Sequence, residues 1–169
     1  MRGMTALRWW KDRCIEWCYD RIEDGKFGDQ KYLDDWLSRF EGVYELQHEG
    51  GGLAPWNIQQ YEILSSNGPL RVRNKTTLQE WDVVFYHFHW LRFLSDKRVD
   101  MGTYTLSQEV KEAFYHHYIK KLATNHDELA HYGVEPPIQK YTTKSGLPTP
   151  LHKIARRILG VYNIYEWEE

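Results

Sequence analysis

The sequence predicts an α+β fold in which helices pack on a small mixed or antiparallel sheet. Three observations lead there. Residues 5–23 and 105–131 repeat apolar side chains at helical spacing. Two short β-type runs, 61–64 and 70–73, flank Ser65-Ser66-Asn67-Gly68-Pro69, a strong turn signal for a hairpin. The run WDVVFYHFH at 81–89 alternates and is rich in β-formers, which predicts a further strand.

Taken in order, Thr5 can cap the first helix, and Leu7, Trp10, Cys14, Trp17 and Cys18 form one broad apolar face, with Ile22 extending it. That face needs a partner. A second helix is expected over 29–40, with Asp29 as N-cap or first-turn acid and Tyr32, Leu33, Trp36, Leu37 and Phe40 as its buried stripe. Gly42 breaks it, and 43–46 suits a short strand. Val110, Phe114, Tyr118, Ile119 and Leu122 stripe the long helix, with Asn125 the place where it could fray or break. Pro136-Pro137 to Pro150 reads as extended linker, where Pro148 and Pro150 rule out helix, and a basic amphipathic helix follows over 151–159. Its expected sides are Ile154, Ile158 and Leu159 against Lys153, Arg156 and Arg157.

Composition narrows the function classes. The chain has 169 residues, which suits one domain, and 41% are hydrophobic, ample for a core. Eight Trp and twelve Tyr point to half-buried surfaces such as ligand clefts, or to a Trp-rich core. A net charge of -2 gives no basis for a nucleic-acid surface. Cys14 and Cys18 are the only cysteines, and their spacing favours buried thiols and a reducing, cytoplasmic setting. No run approaches the ~18 apolar residues of a membrane span. The expectation is a soluble chain without a transmembrane segment.

Three constellations could carry chemistry. Asp29 and Gln30 open a helix, where they either cap it or offer acceptors and donors to a polyhydroxyl ligand. His48 through Asn57 carries Gly50, Gly51 and Gly52, which let a backbone approach a ligand, followed by Trp56, able to stack on a sugar face, and Asn57, able to hydrogen-bond. His87 and His89 stand two apart, so in a strand both imidazoles share a side, where they could bind a divalent metal. Arg92 could reach a phosphate.

The ordered set Phe27-Gly28-Asp29-Gln30-Lys31-Tyr32-Leu33-Asp34, Gly52-Leu53-Ala54-Pro55-Trp56-Asn57 and Phe85-Tyr86-His87-Phe88-His89 resembles the C-terminal half of bacterial nucleotide-diphospho-sugar glycosyltransferases of GT-A type. That group, which includes glycogenin and the lipopolysaccharide galactosyltransferases, carries a GDQxxLN-like box, a Trp-Asn turn and an HFxG segment in this order. His48 to Trp56 also follows an HxxGxxKPW spacing, with Ala54 in place of Lys. Asp34 stands where Asn is usual, and Trp90 stands where HFxG has Gly.

The resemblance implies a metal-dependent, retaining transfer of a hexose from a nucleotide sugar to a saccharide acceptor, in cell-surface polysaccharide or lipopolysaccharide assembly. Under it Asp29 and Gln30 are the catalytic, sugar-facing pair. Trp56, Asn57 and Arg92 bind substrate, and His87 with His89 holds Mn²⁺ or Mg²⁺ on the diphosphate. The implied layout is a glycosyltransferase-like region over 1–100, a helical extension over 101–134, and a linker with a C-terminal helix over 135–169. The family's Asp-x-Asp motif and nucleotide-binding half are absent, so a late start, a split product or an excised domain is expected, inactive by itself. Its location would be cytoplasmic, peripheral to the inner membrane. Two other readings stay open. One is a non-catalytic module that pairs with a nucleotide-binding subunit, or self-associates, through the first helix. The other is a small metallo-hydrolase on His87 and His89.

Overall fold

A computed structural model describes residues 2–64, 69–95, 97–135, 138–139 and 149–167. They form two compact units, Met1–Gln47 and His48–Glu169. Secondary structure is α+β, with helices and two small antiparallel three-stranded sheets.

In the first unit, helix α1 (Arg2–Glu16) stops well short of the expected residue 23. Trp17 is buried just past its end, whereas Ile22 is almost fully exposed, so the apolar spacing beyond Glu16 continues without a helix beneath it. The expected helix over 29–40 resolves into a 3-10 turn, Gln30–Leu33, and a single α-turn, α2 (Trp36–Arg39). Asp29 precedes the 3-10 turn, but its side chain makes no capping hydrogen bond. Without a cap, four-residue segments depend on tertiary contacts. Those contacts are aromatic: Trp9 meets Tyr32 and Phe40 edge-on, and Trp10 meets Trp36, at ring-centroid separations of 5.6–6.3 Å. The strand expected over 43–46 does not form. Cys14 is only half-buried and Cys18 is exposed, so neither is the core thiol that their spacing suggested.

In the second unit, β1 (Tyr61–Leu64) and β2 (Arg71–Asn74) pair antiparallel as expected, Ile63 opposite Val72. The connecting residues 65–68 lie outside those described. Tyr61, Ile63 and Val72 are buried, and on the exposed side Arg73 bridges Glu62 and Glu80 across the strands. The expected strand over 81–89 survives only as β3 (Glu80–Asp82), paired to β2. A second sheet, unforeseen, orders β4 (Arg92–Ser95), β5 (Arg98–Asp100) and β6 (Ile164–Glu166). It joins segments far apart in the chain.

The long helix forms without a break near Asn125. It runs as α3 (Gln108–Val110), a π-helical segment Lys111–His116, and α4 (His117–Ala130). Ser107 caps it by accepting from the Val110 N–H at 3.2 Å. Val110, Phe114, Tyr115 and Ile119 are buried against both sheets' core residues. Helix α5 (Thr149–Ile158) starts one residue before Pro150, a position in the first turn where the missing N–H costs nothing. Its orientation is the opposite of that of an ordinary surface helix. Arg156 faces inward and is buried, while Leu151, Ile154 and Ile158 are exposed.

The reason is Asp100, wholly buried at the end of β5. Arg156 engages it through two nitrogens at 2.8 and 3.0 Å, and Arg92 adds a third contact at 3.0 Å. A buried carboxylate demands such partners. Arg156 also donates to the Gly102 carbonyl at 2.6 Å, as does Asn163 at 3.1 Å. Gly102 has φ +87°, and a Cβ there would stand 3.2 Å from that of Trp90. Glycine is needed at that point.

Candidate functional site

A half-exposed cluster of rings gathers on the second unit around Trp56. It is built from three segments that the backbone ties together. Leu53 and Tyr86 form a parallel β-bridge, and the His87 N–H donates to the Leu53 carbonyl at 2.8 Å. The Asn57 side chain staples its own loop, accepting from the Ala54 N–H at 2.8 Å and donating to the Gly52 carbonyl at 2.9 Å. Gln59 then donates to the carbonyls of Pro55 and Thr105 at 2.7 and 2.8 Å, which binds the Trp56 loop to the segment carrying Tyr104. Asn163 holds that segment from the other side by donating to the Tyr104 carbonyl at 2.7 Å.

On this frame Trp56 is 54% exposed, with its ring 5.3 Å from His87, 5.6 Å from His89 and 6.4 Å from Tyr104. The two imidazoles are 5.8 Å apart. They are neighbours as expected, but not because a strand presents them. The His89 N–H donates to the His87 carbonyl at 2.9 Å, so the chain turns there, and Trp90 follows with φ +64°. Beneath them Tyr86 stacks on Phe114 at 4.4 Å and donates to the buried Tyr115 hydroxyl at 3.2 Å. Burial raises Tyr86 strongly and pushes Tyr115 up to about 12, so both stay protonated as rigid flooring.

The remaining expectations redistribute. Arg92 donates to Asp100 at 3.0 Å and lies over the Trp90 ring at 5.2 Å, contacts that brace the interior. Asn57 spends its amide on the loop. None of Gly50, Gly51 and Gly52 has positive φ, and Gly50 approaches the Asp82 backbone rather than open space. Asp29 and Gln30 belong to the first unit, where both are exposed and the Asp29 carbonyl accepts from the Trp10 indole at 2.9 Å. Tyr104 is the site residue that the sequence analysis missed. No local pattern marks it, because Gln59 and Asn163, 45 and more positions away, place it.

The electrostatics favour a neutral His89. Burial, and then the His87 imidazole beside it, push His89 below the ordinary imidazole range. The Tyr104 hydroxyl lies 2.6 Å from His89 Nδ1, and burial raises Tyr104, so it keeps its proton and donates. That assigns the Nε2–H tautomer to His89. Unfolded chains protonate histidine near about pH 6.5 while folded His89 resists, so the unfolded state binds more protons just below that value. Stability of the second unit is therefore expected to hold above about pH 7 and fall as pH drops through about 6.5. Urea midpoints across that range check it. His89→Gln should remove part of the acid limb, and the rest belongs to His116, which burial also pushes down.

Two imidazoles do not complete a metal shell, and among the described residues no three His, Cys, Asp or Glu come together to hold one. Nor is any described helix long and apolar enough to cross a membrane.

This chain is similar to two uncharacterized proteins of Bacillus subtilis (strain 168). It is 34% identical to YfnF over 93 residues, 55% of this chain and 29% of that protein. It is 28% identical to YfnD over 101 residues, 59% of this chain and 30% of that protein. The matched region thus spans less than a third of either relative. No family model and no solved structure matches the chain.

Proposed function

We propose that this chain is the acceptor-side part of a glycosyltransferase, moving a hexose from a nucleotide sugar to a saccharide hydroxyl in cell-surface polysaccharide or lipopolysaccharide assembly. The observation that carries the proposal is the meeting of two of the three resembling boxes. The Trp56 loop and the His87 segment are adjacent through the Leu53–Tyr86 bridge, with Trp56 ringed by His87 and His89. The left-handed backbone at Trp90 adds support, since the resembled pattern has Gly there and such a φ favours glycine.

In this reading the exposed Trp56 face stacks on the C–H face of a hexose, and the two imidazoles hydrogen-bond its hydroxyls. His89, neutral and fixed by Tyr104, offers its Nε2–H as a donor. Asp29 and Gln30 are proposed, on the resemblance alone, as a sugar-facing pair. Mn²⁺ or Mg²⁺ would add charge neutralisation on the leaving diphosphate, and His87 would supply one ligand. His89, with Nδ1 accepting from Tyr104 and Nε2 protonated, has no lone pair to offer, so other donors would have to complete the shell. The proposed location is cytoplasmic, peripheral to the inner membrane.

Saturation-transfer NMR with methyl galactosides and methyl glucosides tests the sugar contact. Trp56→Ala is expected to abolish transfer to the ring C–H protons, equivalent to a loss of about tenfold or more in affinity, with circular dichroism checking that the fold is retained. Equal signals from the two proteins would sink the proposal. The second reading, a non-catalytic module, draws on the incomplete metal shell. Manganese EPR with UDP separates the two: unbroadened spectra together with clear self-association favour the module.

A further inference from the structure

Helix α5 is held to the fold by its polar side. Arg156 points inward to Asp100 and is buried, and His152 and Lys153 are half-buried. The aliphatic stripe faces out: Leu151 and Ile154 are each about half exposed, Ile158 is 80% exposed, and Leu159 just beyond the helix is 72% exposed. Helices of water-soluble domains ordinarily bury that stripe. A patch of this kind marks a surface meant to be covered.

Charge identifies the cover. From Thr149 to Asn163 the chain has no acidic residue, and it has His152, Lys153, Arg156 and Arg157. Arg156 is spent inside, and Arg157 is exposed beside Ile154 and Ile158. The Arg157 guanidinium also lies over the Tyr162 ring at 4.5 Å, placing an aromatic where the helix ends. Outward aliphatics edged by a cation and an aromatic suit the boundary between headgroups and acyl chains.

We propose that the outward face of α5 docks on an anionic lipid surface, with Leu151, Ile154, Ile158 and Leu159 entering the acyl boundary and Arg157 meeting the headgroups. The helix lies in the plane of the surface and does not span it. A second copy of the chain would cover the same aliphatics, but its net charge of only -2 matches a cationic edge less well than an anionic lipid surface does. The proposal stands apart from the saccharide contact at Trp56, and each can fail without the other.

Vesicle co-sedimentation of the full chain tests it, using phosphatidylcholine alone and phosphatidylcholine mixed with phosphatidylglycerol. Binding is expected to the anionic vesicles, weakened by added salt. Ile158→Glu is expected to lower partitioning about tenfold or more, and Ile154→Gln serves as a second variant. Both positions are at least half exposed, so circular dichroism should be unchanged. Absence of binding to anionic vesicles, or binding indifferent to both substitutions, overturns the proposal. So does a concentration-dependent dimer that Ile158→Glu abolishes while vesicles bind nothing, which would assign the face to a second copy.

Discussion

Replacing Arg156 by alanine is expected to destabilise the second unit by about 3–5 kcal/mol, because it strips a buried carboxylate of its principal partner. Asp100 is 0% exposed and Arg156 4% exposed, so water cannot take over. Arg92 would keep one contact at 3.0 Å, but the Val161 carbonyl would lose its Arg156 donor, and the Gly102 carbonyl would be left with Asn163. Arg156→Lys retains the charge without the two-pronged fork and should recover only part of the loss. Urea unfolding followed by circular dichroism measures both. The consequence reaches the ring cluster, since Arg156 and Asn163 together hold the Gly102 to Tyr104 segment. A variant as stable as the parent would show that α5 is not anchored in this way.

Gly50→Ala is the second large effect. A Cβ at Gly50 would fall 2.0 Å from the Asp82 carbonyl oxygen and 3.0 Å from His48 Cε1. The oxygen is backbone of β3, and it cannot swing aside. Both the Val84 and Phe85 N–H groups donate to the Gly50 carbonyl, at 2.9 and 3.1 Å, so the two segments are locked together. Relief therefore requires moving the strand or the loop that carries Trp56. A loss of about 3 kcal/mol is expected, at the upper end for overpacking, together with loss of the methyl glycoside signal. Gly52→Ala is the control: the nearest atom to its Cβ would be the Glu49 carbonyl oxygen at 4.0 Å, so near-parental stability is expected. Equal thermal stability of the two variants would refute the close-approach explanation.

Much of the fold was legible wherever local pattern and tertiary need coincide. Residues 61–64 and 71–74 alternate cleanly and pair as expected, because Ile63 and Val72 bury on one face. The long helix was visible from its stripe, which does pack on the core. Legibility failed where the pattern persists without support. The apolar spacing past Glu16 outruns α1, and residues 29–40 break into two short turns held by Trp9, Trp10 and Trp36. Short β4, β5 and β6 carry too few residues to announce themselves, and β6 pairs across more than sixty positions.

For the ring cluster, the residue types were on view in the sequence: Trp56 in a proline-pinned loop, and His87 and His89 two apart. Their nearness to one another came from the Leu53–Tyr86 bridge, and Tyr104 entered through Gln59 and Asn163. By itself the sequence determined the α+β class, the long helix, the hairpin strands and the amphipathic character of the last helix, since each depends on neighbours within a few residues. Only the tertiary structure decided which side of that helix faces water. A single buried carboxylate from β5 needed a cation, and satisfying it outweighed burying the aliphatic stripe. Unpaired charge in the interior costs more than exposed isoleucine.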